Sequence, residues 1–217
     1  MPIFHPQPDE NGKPVMLKNP SKSTPLSSWT EPNVVATVTP NGNVPADLNG
    51  ISMQDWIEIP SGPEAWNAVG GQLNFKEPQF KLPAGKVAAA GVVIMESDDR
   101  IWLVSPSNGY AGYTATFPKG RVEKGVTMQA NAIREAYEES GLKVEITGFL
   151  ADSSRTLTYT RYYLAKRVGG NPARMGWETQ SVHLVPRSVL VSFVTHINDL
   201  PLLKVLLPIK PAANVKA

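Results

Sequence analysis

The chain has 217 residues, 41% of them hydrophobic and 18% charged, with no cysteine and a formal net charge of +2. That length can bury a core without covalent staples, and the lack of thiols excludes a disulfide framework, cysteine-ligated zinc or iron–sulfur sites and a thiol nucleophile. The small net charge does not announce a nucleic-acid binder, and no apolar run reaches the roughly 18 to 20 residues of a membrane span.

The opening, MPIFHPQPDENGK, lacks the charged flank and apolar stretch of a secretory signal, so a cytoplasmic protein with no membrane partner is expected. Thirteen of the 20 prolines precede residue 86. Each removes a backbone donor and restrains its predecessor, which argues against long helices or central strands there. Residues 1–28, rich in Pro, Ser, Asn and Lys, read as a flexible N-terminal arm. Residues 29–85 carry Trp29, Trp56 and Trp66 among short apolar pieces, more hydrophobic area than a free linker holds. They are expected as an irregular extension packed on the main domain or on a partner subunit. Residues 1–85 hold 8 acids, 5 bases and no arginine, whereas residues 86–217 hold 11 acids and 16 bases. Arginine suits bidentate phosphate contacts, so anions are expected in the second part, although a solvated basic surface accounts for the same charge.

From residue 86 the pattern turns regular. Lys86–Met95 reads as a buried strand and Arg100–Val104 as its hairpin partner, with Tyr113–Phe117 a short strand ended by Pro118. A helix is predicted over about 128–140, with Thr127 as N-cap and Gly141 just past its end. Leu142–Leu150, Thr156–Ala165 and Thr179–Val185 read as strands, and helices are predicted from Pro186 and over Asp199–Leu206. Strands around one strongly marked helix indicate an α+β domain over residues 86–208, followed by a tail at 209–217.

The chemistry concentrates in residues 117–140. Glu135, Glu138 and Glu139 stand at i, i+3 and i+4, so their carboxylates share one helical face and repel. Such a cluster reads either as a solvated acidic face or as hard oxygen ligands for a divalent cation, with magnesium completing its shell from substrate phosphates. Gly120 and Gly125 allow tight turns before the helix, and Arg134 is placed to hold that loop or orient a carboxylate.

This stretch resembles the signature of the Nudix hydrolase superfamily, G-x5-E-x7-R-E-U-x-E-E-x-G-U, where U is a bulky aliphatic residue. Gly120, Arg134, Glu135, Glu138, Glu139, Gly141 and Leu142 fall at the required spacings. Ala136 stands at an aliphatic position, and Val126 replaces the first glutamate. The resemblance implies a Nudix fold, a mixed β-sheet sandwiched between α-helices, here with an irregular Pro-rich N-terminal extension. It implies Mg2+-dependent hydrolysis, with Mn2+ as an alternative cofactor, of a diphosphate linked to another group X. The metal ligands it implies are Glu135, Glu138, Glu139 and the Gly120 carbonyl, and Glu135, Glu138 and Glu139 are carried over as catalytic. Glu178, just before a strand, is the candidate general base, with a plain surface glutamate as the alternative. The loss at Val126 leaves open a slower enzyme, fewer metals, or a site that only binds and senses a nucleotide. His183 and His196 read as structural or exposed.

Phe117-Pro118-Lys119-Gly120 looks like members acting on dinucleoside polyphosphates, RNA 5′ ends or diphosphoinositol polyphosphates. The expected partner is a small nucleotide or polyphosphate, ADP-ribose-like compounds included, with Lys119, Arg121 and Arg134 as substrate-binding residues. Arg155, Arg161 and Lys166 are candidates to extend that surface, and Tyr110, Tyr113, Tyr162 or an N-terminal tryptophan to stack on a base. The lack of a dense basic stripe with interleaved aromatics argues against nucleic acid as a partner. ADP-ribose and nucleotide-sugar hydrolases of the family often carry an N-terminal extension that mediates dimerisation, and residues 29–85 leave a homodimer open. Two substitutions follow: Val126→Glu is expected to raise or preserve activity. Glu139→Gln is expected to abolish most hydrolysis with the fold intact, and undiminished metal-dependent turnover in that variant would remove the proposed metal site.

Overall fold

The prolines of the first 85 residues leave room only for short elements. The computed structural model describes residues 2–18, 22–107, 112 and 114–208. In order come β1 (Ile3–Phe4), β2 (Met16–Leu17), α1 (Ser27–Thr30), β3 (Ala36–Val38), β4 (Asp47–Leu48), β5 (Ile51–Ser52) and α2 (Pro63–Asn67). Where the sequence predicts a flexible arm, β1 and β2 pair as an antiparallel hairpin. Val15 and Leu17 are buried, and the Lys18 N–H donates to Gln180 Oε1 at 2.5 Å.

The regular part runs β6 (Val87–Met95), β7 (Arg100–Pro106), β8 (Lys119–Arg121), α3 (Met128–Ser140), β9 (Leu142–Ser154) and β10 (Thr158–Gly170). A 3-10 turn at Pro172–Arg174, β11 (Thr179–Pro186), a 3-10 turn at Arg187–Val189, α4 (Leu190–Phe193) and α5 (Leu200–Leu206) complete it. The strand predicted at Tyr113–Phe117 reduces to one bridge between Thr116 and Val104, and Tyr110, Tyr113 and residues 209–217 lie outside the described residues.

The large sheet has the order β3-β11-β7-β6-β10-β9, with β8 also on β6. It is mixed: β6 and β10 run parallel, the other pairs antiparallel. The predicted β6–β7 hairpin pairs only at its closed end, Met95 with Ile101. Further back β6 pairs instead with β8, Ala89–Gly91 against Lys119–Arg121. The sheet therefore forks along β6, and the fork leaves an opening between the end of β7 and β8.

Alternation along the strands feeds two cores. Val92, Ile94, Trp102, Val104, Tyr163 and Leu184 pack on the α3 side. Val93, Ile101, Leu103, Tyr162 and Val185 pack on the other, against Leu190, Leu202 and Leu206 from α4 and α5. With helices on both faces of a mixed sheet, the architecture is α+β, as the sequence implies.

Helix α3 forms where local signals place it. Thr127 Oγ1 accepts from the Ala130 N–H, and Gly141 turns left-handed at φ +69° while its N–H donates to the Tyr137 carbonyl at 2.7 Å. Ala132 and Ala136 are fully buried, and such small side chains let the helix lie close on the sheet.

The extension braces the loop before α3. Asn67 Nδ2 donates to the Gly125 carbonyl at 2.7 Å, and Asn67 Oδ1 accepts from the Thr127 N–H at 2.8 Å. Gln129 Nε2 donates to the Leu73 carbonyl and Gln129 Oε1 accepts from the Leu73 N–H. Trp56 meets the ring edges of Trp66 and Tyr137 at 6.0 and 5.3 Å between centroids. Val126 lies in this brace, 7% exposed and part of the α3-side core with Trp66 and Val69.

This burial revises the expectation for Val126→Glu. A carboxylate there would leave water for an apolar contact with Trp66 and Val69, so the variant is expected to lose about 3 kcal/mol of stability. Urea unfolding checks this, and an unchanged midpoint would mean that the position is open to solvent.

Candidate active site

Gly120 is where β8 crosses the face of α3. A Cβ there would collide with the Glu135 carboxylate, so glycine leaves that carboxylate the space it occupies against β8. The neighbouring Lys119 N–H donates to Glu139 Oε2 at 2.9 Å. Glu135, 8% exposed, accepts from Arg134 Nη2 at 3.2 Å and Asn131 Nδ2 at 3.5 Å. Arg134 also reaches Glu123 Oε2 at 2.5 Å and Glu138 Oε1 at 3.7 Å. The guanidinium is thus spent on orienting carboxylates. It is not among the residues that line the cavity at this site.

The carboxylates share one electrostatic neighbourhood. Burial pushes Glu135 up to about 8, and Glu139 and Glu138 add to the rise against the opposing charge of Arg134. Burial also raises Glu139 to about 7; the Lys119 charge and N–H oppose this, while Glu178 and Glu138 support it. Glu138 is raised by burial, offset by Arg134 and reinforced by Glu178 and Glu123. Glu178 is raised by burial and by Glu10, with Lys119 pulling the other way.

Lys119, Gly120, Arg121, Glu139 and Glu178 line one cavity of about 670 Å³ at the fork of the sheet. Arg155, Thr158, Asn198 and Trp177 line the same cavity. Other sequence candidates fall elsewhere. Arg161 is buried, bonded to Asp152 and Glu77 at 2.8 Å and flanked by the Phe80 and Phe149 rings. Lys166 pairs with Glu145 at 2.9 Å. Tyr162 is fully buried under Phe117, which excludes it as a stacking surface. His183 is buried with Thr37, Ser105 and Ser181 around its ring, and burial lowers it to about 4, so it is a neutral structural residue. Sequence reasoning missed Trp177; the one signal available was its place next to Glu178.

The donor set suits a hard divalent cation. Glu135, Glu138, Glu139 and Glu178 are carboxylates that raise one another's proton affinity, and a cation relieves that repulsion better than protons do at neutral pH. Among the described residues no three acidic or histidine side chains already close around a common point. Glu135 is held by Arg134 and Glu139 by the Lys119 amide, and the two would have to turn from these partners to hold a cation together. In the metal-free protein, Glu135 and Glu139 bind protons more tightly folded than unfolded. Their contribution is fully present below about 4.5 and is lost as pH rises through about 7 and 8. The metal-free melting temperature is expected to fall across that window, and Glu135→Gln to flatten the fall. A slope unchanged in that variant would contradict the burial of its carboxylate.

The chain is similar to known proteins over the same region. A family model described as the NUDIX domain matches residues 85–203. The RNA pyrophosphohydrolase of Caulobacter vibrioides (strain NA1000 / CB15N) is 34% identical over 92 residues, 42% of this chain and 50% of that protein. That of Pseudoalteromonas atlantica is 34% identical over 92 residues, 41% and 49% respectively. The chain spans about half the length of the curated relatives it matches. Among solved structures, a C. elegans Ap4A hydrolase binary complex is 23% identical, covering 54% of this chain and 92% of that one, with a TM-score of 0.46. A NUDIX hydrolase from Nitrosomonas europaea is 22% identical, with coverages of 53% and 66% and a TM-score of 0.45. The match to the family model takes in more than half of the chain, including the loop and helix that carry the clustered glutamates, and the protein belongs to the NUDIX family.

Proposed function

We propose that the protein is a Mg2+-dependent hydrolase that cleaves a diphosphate bond in a nucleoside diphosphate linked to X, or in a related polyphosphate. The observation that carries this reading is the convergence of Glu139, Glu178, Lys119, Gly120 and Arg121 on one cavity beside Glu135 and Glu138. The family supports diphosphate chemistry, and the matched relatives named RNA pyrophosphohydrolases point the same way. Glu135, Glu138, Glu139 and the Gly120 carbonyl would hold the cation, Mg2+ or alternatively Mn2+. When bound, the cation neutralises phosphate charge and lowers the cost of generating a nucleophile from water.

The chain's own groups supply positioning. Lys119 and Arg121 meet phosphate oxygens at the cavity mouth. Arg134 holds Glu135 and Glu138 in place. Glu178 is the proposed general base, and burial and the Glu10 charge raise its affinity for a proton above that of a free glutamate. Lys119 opposes that rise.

A second reading, a catalytically weak module that binds and senses a nucleotide, is favoured by Val126, which is buried where the signature carries a glutamate. Phosphate release with Mg2+ across ADP-ribose, diadenosine polyphosphates, nucleoside triphosphates and a diphosphoinositol phosphate separates the two. Turnover that EDTA and Glu139→Gln both abolish is expected. Binding without turnover would select the sensing module, and turnover insensitive to EDTA would overturn the metal-dependent reading.

A further inference from the structure

We propose that the N-terminal hairpin is a strap of the active site, in which residues 5–18 grip the loop at 175–180 and thereby hold Glu178 at the cavity. The inference rests on the proposed hydrolase reading and adds to it a positioning element that precedes the NUDIX match. A loop that carries a reacting group has to be held, because a misplacement of about 1 Å is enough to cost a large part of the rate.

The sheet holds this loop poorly. β11 starts at Thr179, and its register with β7 slips at once: Thr179 lies opposite Pro106 and Ser181 opposite Ser105. Gln180 is the extra residue of a bulge, where the ladder is locally broken. Pro106 has no N–H to add to it. Other bonds take over. Ser107 Oγ donates to the Trp177 carbonyl at 2.5 Å, and the Ser107 N–H donates to the Glu178 carbonyl at 2.6 Å. On the helix side, the Gly176 N–H donates to the Glu138 carbonyl at 2.8 Å.

The hairpin supplies the outer hold. Buried Gln180 accepts the Lys18 N–H on Oε1 at 2.5 Å and donates from Nε2 to the Pro106 carbonyl at 3.3 Å. One side chain thus joins the strap to the end of β7 across the bulge. His5 is buried with the Met175 backbone beside it, and its Nδ1 accepts the Gln7 N–H at 3.0 Å. A Cβ on Gly176 would stand 2.5 Å from the Glu138 carbonyl oxygen and 4.0 Å from Gln7 Oε1, so the loop passes between α3 and the hairpin. At the hairpin's tip, Asp9 Oδ1 accepts from the Asn11 and Lys13 N–H groups at 2.9 and 2.8 Å and fixes a tight turn. Glu10 belongs to that turn, and after burial its charge has the largest effect on Glu178. Val15 and Leu17, both buried, seat the hairpin independently of these contacts.

The test uses variants of the full chain. Lys18→Pro deletes the amide hydrogen that Gln180 accepts, Lys18→Ala deletes the side chain and keeps that hydrogen, and Gln180→Met loses both ends of the link at similar length. Hydrogen exchange is followed at the Gly176 and Ser107 amides, beside kinetics with Mg2+ on the panel compound that wild type turns over fastest. Lys18→Pro and Gln180→Met are expected to speed exchange at both amides about 10-fold, with the amides of β6 and β10 unchanged. The same two variants should lower kcat about 10-fold with little change in KM, and Lys18→Ala should match wild type. Exchange unchanged in both variants, exchange accelerated across the whole sheet, or a loosened loop with kcat intact would each overturn the proposal. If wild type hydrolyses no panel compound, the hydrolase reading fails, and the exchange pattern by itself upholds or overturns the grip on the loop.

Discussion

The structure depends on keeping several carboxylates together in a place too poor in water to ionise them easily. Glu135 is buried beneath Gly120, Glu139 accepts the Lys119 amide, and Arg134 reaches both Glu135 and Glu138. Each device compensates one part of the repulsion. Glycine removes the side chain that would fill the carboxylate's space, the amide donates to a charged acceptor, and the guanidinium spreads positive charge over two neighbours. What is left uncompensated is the raised proton affinity of Glu135 and Glu139, which is what the proposed cation site draws on. A helix carrying that load needs support from outside its own hydrogen bonds.

The support comes largely from residues before the NUDIX match. Asn67 clips the carbonyl of Gly125 and the amide of Thr127, and Gln129 exchanges two hydrogen bonds with Leu73. Trp56 and Trp66 fill the angle against Tyr137. Val126 belongs to this apolar contact, so the position where the signature has a glutamate has passed from ligand chemistry to packing. Further along, β3 extends the sheet beyond β11, and Arg100 gathers the carbonyls of Ser28 and Trp29 at the end of α1. The extension is joined to the domain by backbone pairing, ring contacts and buried guanidinium bonds at once.

Features set by short-range signals were legible in the sequence. Helix α3 begins at Thr127 and ends at Gly141 as predicted, because capping is decided within a turn of chain. The glutamates share a face because helical spacing requires it. What the sequence hid depends on distant partners. Arg161 looked like a phosphate ligand until Glu77, 84 residues away, appeared as its counter-ion. Arg155 faces the cavity, but Asp199, 44 residues on, takes its charge. The burial of Val126 is made with Trp66 of α2, which no local pattern announces. Tyr162 belongs to an alternating strand whose two faces both turn out to be covered.

The pairing of β3 with β11 sets the practical limits of the folding unit. The family match starts at residue 85, and a fragment cut there would keep every glutamate of the cluster. It would also strip β11 of its outer neighbour, leaving the backbone of Val182–Leu184 as a bare edge, and would uncover Trp102 where Trp29 now rests on it. An open edge beside exposed aromatic surface is a template for chain-to-chain pairing. Such a fragment would be prone to meet other copies of itself, so the folding unit of this protein is longer than the stretch that defines its family.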